Sequence, residues 1–160
     1  MEKRNYHLIL TCCAAMLALS GCNDSKNKPA AGAEAPKAAA EPFTGTVHEV
    51  KMRGTVAPTP AFFFEPAELT IKQGDKVKFT MVDGGPHNVS FNSPMPALTK
   101  VPEGAKIVLE NRGQLVGALL QAPGQATEIV FGKDLPAGEY NFVCDPHAPL
   151  GMKGKITVTP

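Results

Sequence analysis

From Phe43 to the end of the chain, apolar residues recur at every second position in short runs, and few patterns restrict a fold as strongly. Leu69 and Ile71 alternate with Glu68, Thr70 and Lys72; after Gly74-Asp75, Val77, Phe79 and Met81 alternate with Lys76, Lys78 and Thr80. Ile107 and Leu109, Ile129 and Phe131, and Ile156 and Val158 keep the same period. Successive side chains of a strand point to opposite faces, so a period of two sets one apolar face against a core. Turn sequences separate the runs, among them Pro102-Glu103-Gly104, Pro123-Gly124 and Leu135-Pro136-Ala137-Gly138. The chain holds 15 Gly and 15 Pro and has no long helical run. The pattern predicts an all-β domain, an antiparallel sandwich or barrel of about seven to nine strands.

The first 42 residues follow other rules. Glu2, Lys3 and Arg4 precede an apolar run from Leu8 to Leu19, twelve residues, too short to span a bilayer comfortably. The run ends in Leu19-Ser20-Gly21-Cys22, which resembles a bacterial lipoprotein box. That resemblance implies a signal peptide over residues 1–21, cleavage before Cys22, and acylation of Cys22 as a membrane anchor. Residues 22–42 are rich in Ala, Lys, Glu and Pro and lack aromatics, so they cannot bury enough apolar area to offset their ordering entropy. They are expected to form a lipid-anchored tether of roughly 25 Å root-mean-square reach. Residues 43–160 form the domain, placed at the bacterial cell envelope, in the periplasm or outside the cell. Without residues 1–21 the chain carries 14 basic and 14 acidic residues. That balance gives no support for a nucleic-acid partner or any strongly charged one.

Removal of Cys12 and Cys13 with the signal, and lipidation of Cys22, would leave Cys144 as the one free thiol. It opens the stretch Cys144-Asp145-Pro146-His147-Ala148-Pro149-Leu150-Gly151-Met152, with the spacing Cys-x2-His-x4-Met. A buried inert Cys, or one in an intermolecular disulfide, would leave the nearby His and Met unexplained. Soft sulfur ligands with imidazole select copper, and a His2Cys set with a weak axial Met is the arrangement of an electron-transfer site. The second imidazole is expected from His87 in Pro86-His87-Asn88-Val89. Strand alternation puts Tyr140, Phe142 and Cys144 on one face, and His87, Val89 and Phe91 on another, so both donors continue apolar faces at strand ends. His48 is read as a hydrogen-bonded structural histidine, and Met52 and Met81 as packing. Met95 is the rival to Met152. The Phe62-Phe63-Phe64 run is read as core and sheet.

These segments resemble the cupredoxins, type I (blue) copper proteins, nearest to the plastocyanin type. The likeness runs from about Phe64 to Val158. It rests on Phe64-Glu65-Pro66, Leu69-Thr70-Ile71, Gly74-Asp75, Val77-Lys78-Phe79, Pro86-His87-Asn88-Val89, Ala137-Gly138-Glu139-Tyr140, Cys144-x-Pro146-His147 and Gly151-Met152-x-Gly154-Lys155-Ile156. It implies a Greek-key cupredoxin fold and one copper ion held by His87, Cys144, His147 and Met152. It also implies that Asn88 ties the two ligand segments together beside the sulfur. Residues 92–121 and the Ala148-Pro149-Leu150 part of the loop depart from the family pattern. Val143 stands where plant plastocyanins carry an aromatic residue.

The function so implied is one-electron transfer between transient redox partners, such as a cytochrome or a copper enzyme, by a monomeric domain. His147 would be the electron port, with Pro149 and Leu150 around it. Copper storage or delivery is the alternative. An enzyme with several copper sites is not expected, since residues 22–160 offer three His and one unlipidated Cys.

Overall fold

The computed structural model describes residues 43–160. The expected signal peptide (1–21), the tether (22–42) and the lipidation site Cys22 lie outside the described residues. Among the described residues, seven strands form two sheets. β1 (Val47–Thr55), β2 (Ala61–Glu65), β4 (Lys76–Met81) and β5 (Ala126–Val130) make one, in the order β2-β1-β4-β5. β3 (Glu68–Lys72), β6 (Gly138–Val143) and β7 (Lys153–Thr159) make the other, in the order β3-β7-β6. Among the described residues no helix is long and apolar enough to cross a membrane.

The apolar faces meet as the alternation predicts. Val77, Phe79 and Met81 of β4 are buried, as are Ile71, Ile129, Ile156 and Val158. Phe142 of the second sheet packs edge-on against Phe64 and Phe79 of the first, with ring centroids 4.8 and 5.4 Å apart. Such pairs add about 0.5–1.5 kcal/mol each beyond the area they bury. Tyr140 is fully buried, and its hydroxyl donates to the Pro136 carbonyl at 2.6 Å.

Three expectations need correction. The sheets are mixed, not antiparallel throughout: β1 runs parallel to β4 and β3 parallel to β7. The chain leaves the first sheet after β2, contributes β3 to the second, and returns as β4 beside β1. Alternation reports which face is buried, not which way a strand runs. The second correction is at Ile107 and Leu109, which lie on a short helix, α1 (Ala105–Asn111). There the buried pair is Ala105 and Leu109, four apart, while Ile107 is exposed. That is helical spacing, preceded by Gly104 in the left-handed region.

The third concerns the His87 segment. It has no solvent face opposite His87, because Asn88 and Ser90 are buried with it. Residues 115–120 cover one edge: the His87 N–H donates to the Leu120 carbonyl at 3.0 Å, and the Leu120 N–H returns the bond at 2.8 Å. On the other edge Ser90 exchanges backbone bonds with Val143, at 2.9 and 3.0 Å. The stretch without close family likeness thus returns to brace the first ligand segment.

Candidate metal centre

Two loops at one pole of the sandwich carry the donors. The first links β4 to His87. Its Asp83 side chain accepts the Gly54 N–H at 2.8 Å, and that bond is the main reason its carboxyl lies below the usual range. Arg53 donates to the same carboxylate at 3.3 Å. Gly84 sits against the Gly54 backbone so closely that any Cβ there would collide with it. The loop is therefore pinned to the end of β1, and the Asp83 carbonyl accepts the His87 Nε2–H at 2.9 Å. With Nε2 as donor, Nδ1 keeps a free lone pair directed at the site.

The second loop begins where β6 ends. Cys144 is followed by a 3-10 turn over Asp145–Leu150 and by Gly151, whose φ of 88° lies in the left-handed region glycine tolerates. Its ends are tied together. The Cys144 N–H donates to the Met152 carbonyl at 3.2 Å, and the Met152 N–H to the His147 carbonyl at 3.1 Å. Asn88 joins the two loops: its Oδ1 accepts the Asp145 N–H at 2.8 Å, and its Nδ2 donates to Asp145 Oδ2 at 2.9 Å and the Gly117 carbonyl at 3.3 Å. The expected Asn88 tie is thus present, and it reaches a third segment as well.

The outcome is a triangle of donors. Cys144 Sγ lies 3.6 Å from His87 Nδ1 and 3.3 Å from His147 Nδ1, and the three donor atoms fall within 4.8 Å of one another. A metal bonded to sulfur and nitrogen at typical lengths in a trigonal plane separates them by about 3.8 Å. Three atoms at that spacing, one soft and two imidazole, fit one copper ion. Met152 is fully buried at the end of the same loop, its N–H bonded to the His147 carbonyl, whereas Met95 is 41% exposed before a 3-10 turn at Pro96–Leu98.

The environment is apolar and one-sided. Burial pushes the Cys144 thiol up, while backbone N–H groups of Asn88 and His147 oppose it. Burial also holds His147 below the ordinary imidazole range, with nearby His87 adding to the effect. His87 is fully buried, but His147 is only partly so, next to exposed Pro149 and Leu150. The His147 ring is covered on one face by Phe62, stacked at 3.8 Å between centroids and 5° between planes. Phe64 on the same face of β2 is core, as expected, but Phe62 reaches the site. Period two puts Phe62 and Phe64 on one face without saying which of them lies at the pole. His48, expected to be structural, donates from Nε2 to Asp75 Oδ2 at 2.9 Å, away from the donors.

A β-sandwich holding one cysteine sulfur and two imidazoles at its pole defines a mononuclear copper-binding domain. Residues 46–159 match the copper binding proteins of the plastocyanin/azurin family, and the chain belongs to that family. It is 40% identical over 95 residues to plastocyanin of Nostoc punctiforme, covering 59% of this chain and 63% of that protein. With plastocyanin of Prochlorothrix hollandica it shares 36% identity over 119 residues, 74% of this chain and 78% of the other. A mutant plastocyanin of fern superposes with a TM-score of 0.50 at 28% identity, covering 70% of this chain and all of that one. The chain spans slightly under two thirds of several such relatives, including 62% of a Synechococcus plastocyanin.

Proposed function

We propose that this protein is a type I copper protein carrying single electrons between redox partners, with His87, Cys144, His147 and Met152 as ligands. The observation that carries this reading is the convergence of one Sγ and two Nδ1 atoms within 4.8 Å at a largely apolar pole. Copper bound there would supply a one-electron couple between Cu(II) and Cu(I). The chain supplies the rest. Backbone bonds closing the Cys144–Met152 loop, and the Asn88 tie across to it, fix the donors before any metal arrives, which favours one geometry for both oxidation states. Partly exposed His147, with Pro149 and Leu150, offers the short path to a transiently docked cytochrome or copper enzyme. Val143 has no ring to extend a second path, and it is fully buried.

Anchoring at the bacterial cell envelope through Cys22 is part of the proposal and rests on the sequence.

A visible spectrum of the copper-loaded protein tests the centre. An intense thiolate-to-copper band that bleaches on reduction and vanishes in Cys144→Ser is expected; weak absorption would favour copper storage or delivery. For the anchor, Cys22→Ser should leave the membrane fraction while still binding copper. Its retention there would refute lipidation.

A further inference from the structure

Asp145 stands between Cys144 and Pro146, and electron transfer through His147 makes no use of its side chain. Asn88 Nδ2 donates to its Oδ2 at 2.9 Å. Its other oxygen, Oδ1, is buried and meets no donor among the described residues. The described ion pairs, such as Arg112–Asp134 and Lys76–Glu128, include none that neutralises it. A buried carboxylate oxygen without a donor opposes folding, and native chains usually avoid it. The tie between the ligand loops does not require the charge. The shorter of its two bonds, 2.8 Å, runs from the Asp145 backbone N–H to Asn88 Oδ1 and would survive with a neutral side chain.

What the charge adds is a field. A part-buried anion acts on its neighbours through a dielectric well below that of water, and salt screens it poorly. On a metal ion the same field favours the more positive state. We propose that Asp145 is a tuning residue whose uncompensated carboxylate, held in place by Asn88, favours Cu(II) over Cu(I) and lowers the reduction potential. This rests on the copper-centre reading above.

The test is spectroelectrochemical titration of the full-length copper protein at neutral pH, with Asp145→Asn, Asp145→Ser and Asp145→Glu. Asp145→Asn keeps the shape and an acceptor for Asn88 but removes the charge. It should shift the Cu(I)-to-Cu(II) affinity ratio about tenfold toward Cu(I), or about 59 mV upward for one electron. Asp145→Ser should shift the same way, and Asp145→Glu, which keeps the charge, should stay near wild type. Glu110→Gln on α1, remote and exposed, should not move the potential. Without copper, Asp145→Asn should melt no lower than wild type, since it removes a buried anion lacking a donor. An unchanged or lower potential in both neutral variants would overturn the proposal. So would an equal rise in Glu110→Gln, or a large loss of apo stability in Asp145→Asn with no rise in potential. A wild-type copper adduct without the thiolate band would sink the copper-centre reading itself, and this inference with it.

Discussion

Replacing Phe62 by leucine keeps most of the apolar volume beside His147 and removes the ring stacked on it. The two rings are nearly parallel, 5° apart in plane and 3.8 Å between centroids, and Phe62 also meets the His87 ring edge-on at 6.3 Å. Stacking of this kind is worth about 0.5–1.5 kcal/mol beyond burial. Phe62→Leu should therefore cost about 1 kcal/mol, and Phe62→Ala about 3 kcal/mol, the low end of the core range, because the residue lies at the pole with 9% exposure. If the ring only fills space, apo and copper-loaded proteins lose the same stability. If it holds His147 in the donor triangle, part of the loss belongs to metal binding. About 1 kcal/mol then appears as roughly fivefold weaker copper affinity. Gly54→Ala perturbs the same contact from behind, since its Cβ would collide with the Phe62 ring. Overpacking there should cost about 1–3 kcal/mol and loosen the stack. Urea unfolding of both forms, paired with competitive copper titration, separates the two roles. Equal destabilisation of both forms with unchanged copper affinity would refute the orienting role.

Copper uptake should depend on pH with a sign set by two shifted groups. Between the lowered His147 value and the raised Cys144 value, binding expels the thiol proton, so affinity should rise about tenfold per pH unit. The slope should steepen below the His147 value; a chelator competition series that is flat near neutrality would refute it. Asn88→Ala removes three side-chain hydrogen bonds and leaves the Asp145 N–H without its partner, so thermal melting should report a loss of about 2–3 kcal/mol. Leu150→Glu puts a charge on a side chain 57% exposed beside His147, and should slow electron self-exchange by NMR line broadening without altering the spectrum. An unaltered rate would place the port elsewhere.

Cys144 and His147 were legible as metal-binding candidates, with Met152 as the proposed third ligand of the loop, because the spacing from Cys144 to Met152 is local and a loop of nine residues leaves few ways to arrange it. His87 needed more. Its pairing with Cys144 across 57 positions was supplied by family likeness, and the bonds joining Ser90 to Val143 give the physical reason for it. The misreading at Ile107 and Leu109 came from a run too short to separate period two from a helical turn. Only the burial of Ala105 with Leu109 decides it. The same limit hid Phe62. Its place on the inner face of β2 was readable, but its contact with His147 depends on where β2 ends relative to a loop 80 residues later. That is fixed by how the two sheets stack, for which no local pattern exists. Asp145 was hidden differently. Beside Asn88 it reads as one more polar loop residue, and only a buried oxygen without a donor separates it from the rest. Residue type and spacing thus specify which atoms can bind the metal. The groups that orient and bias those atoms, Asp83 through a carbonyl, Phe62 through a ring face and Asp145 through a charge, act across folded contacts and become visible only once the strands are placed.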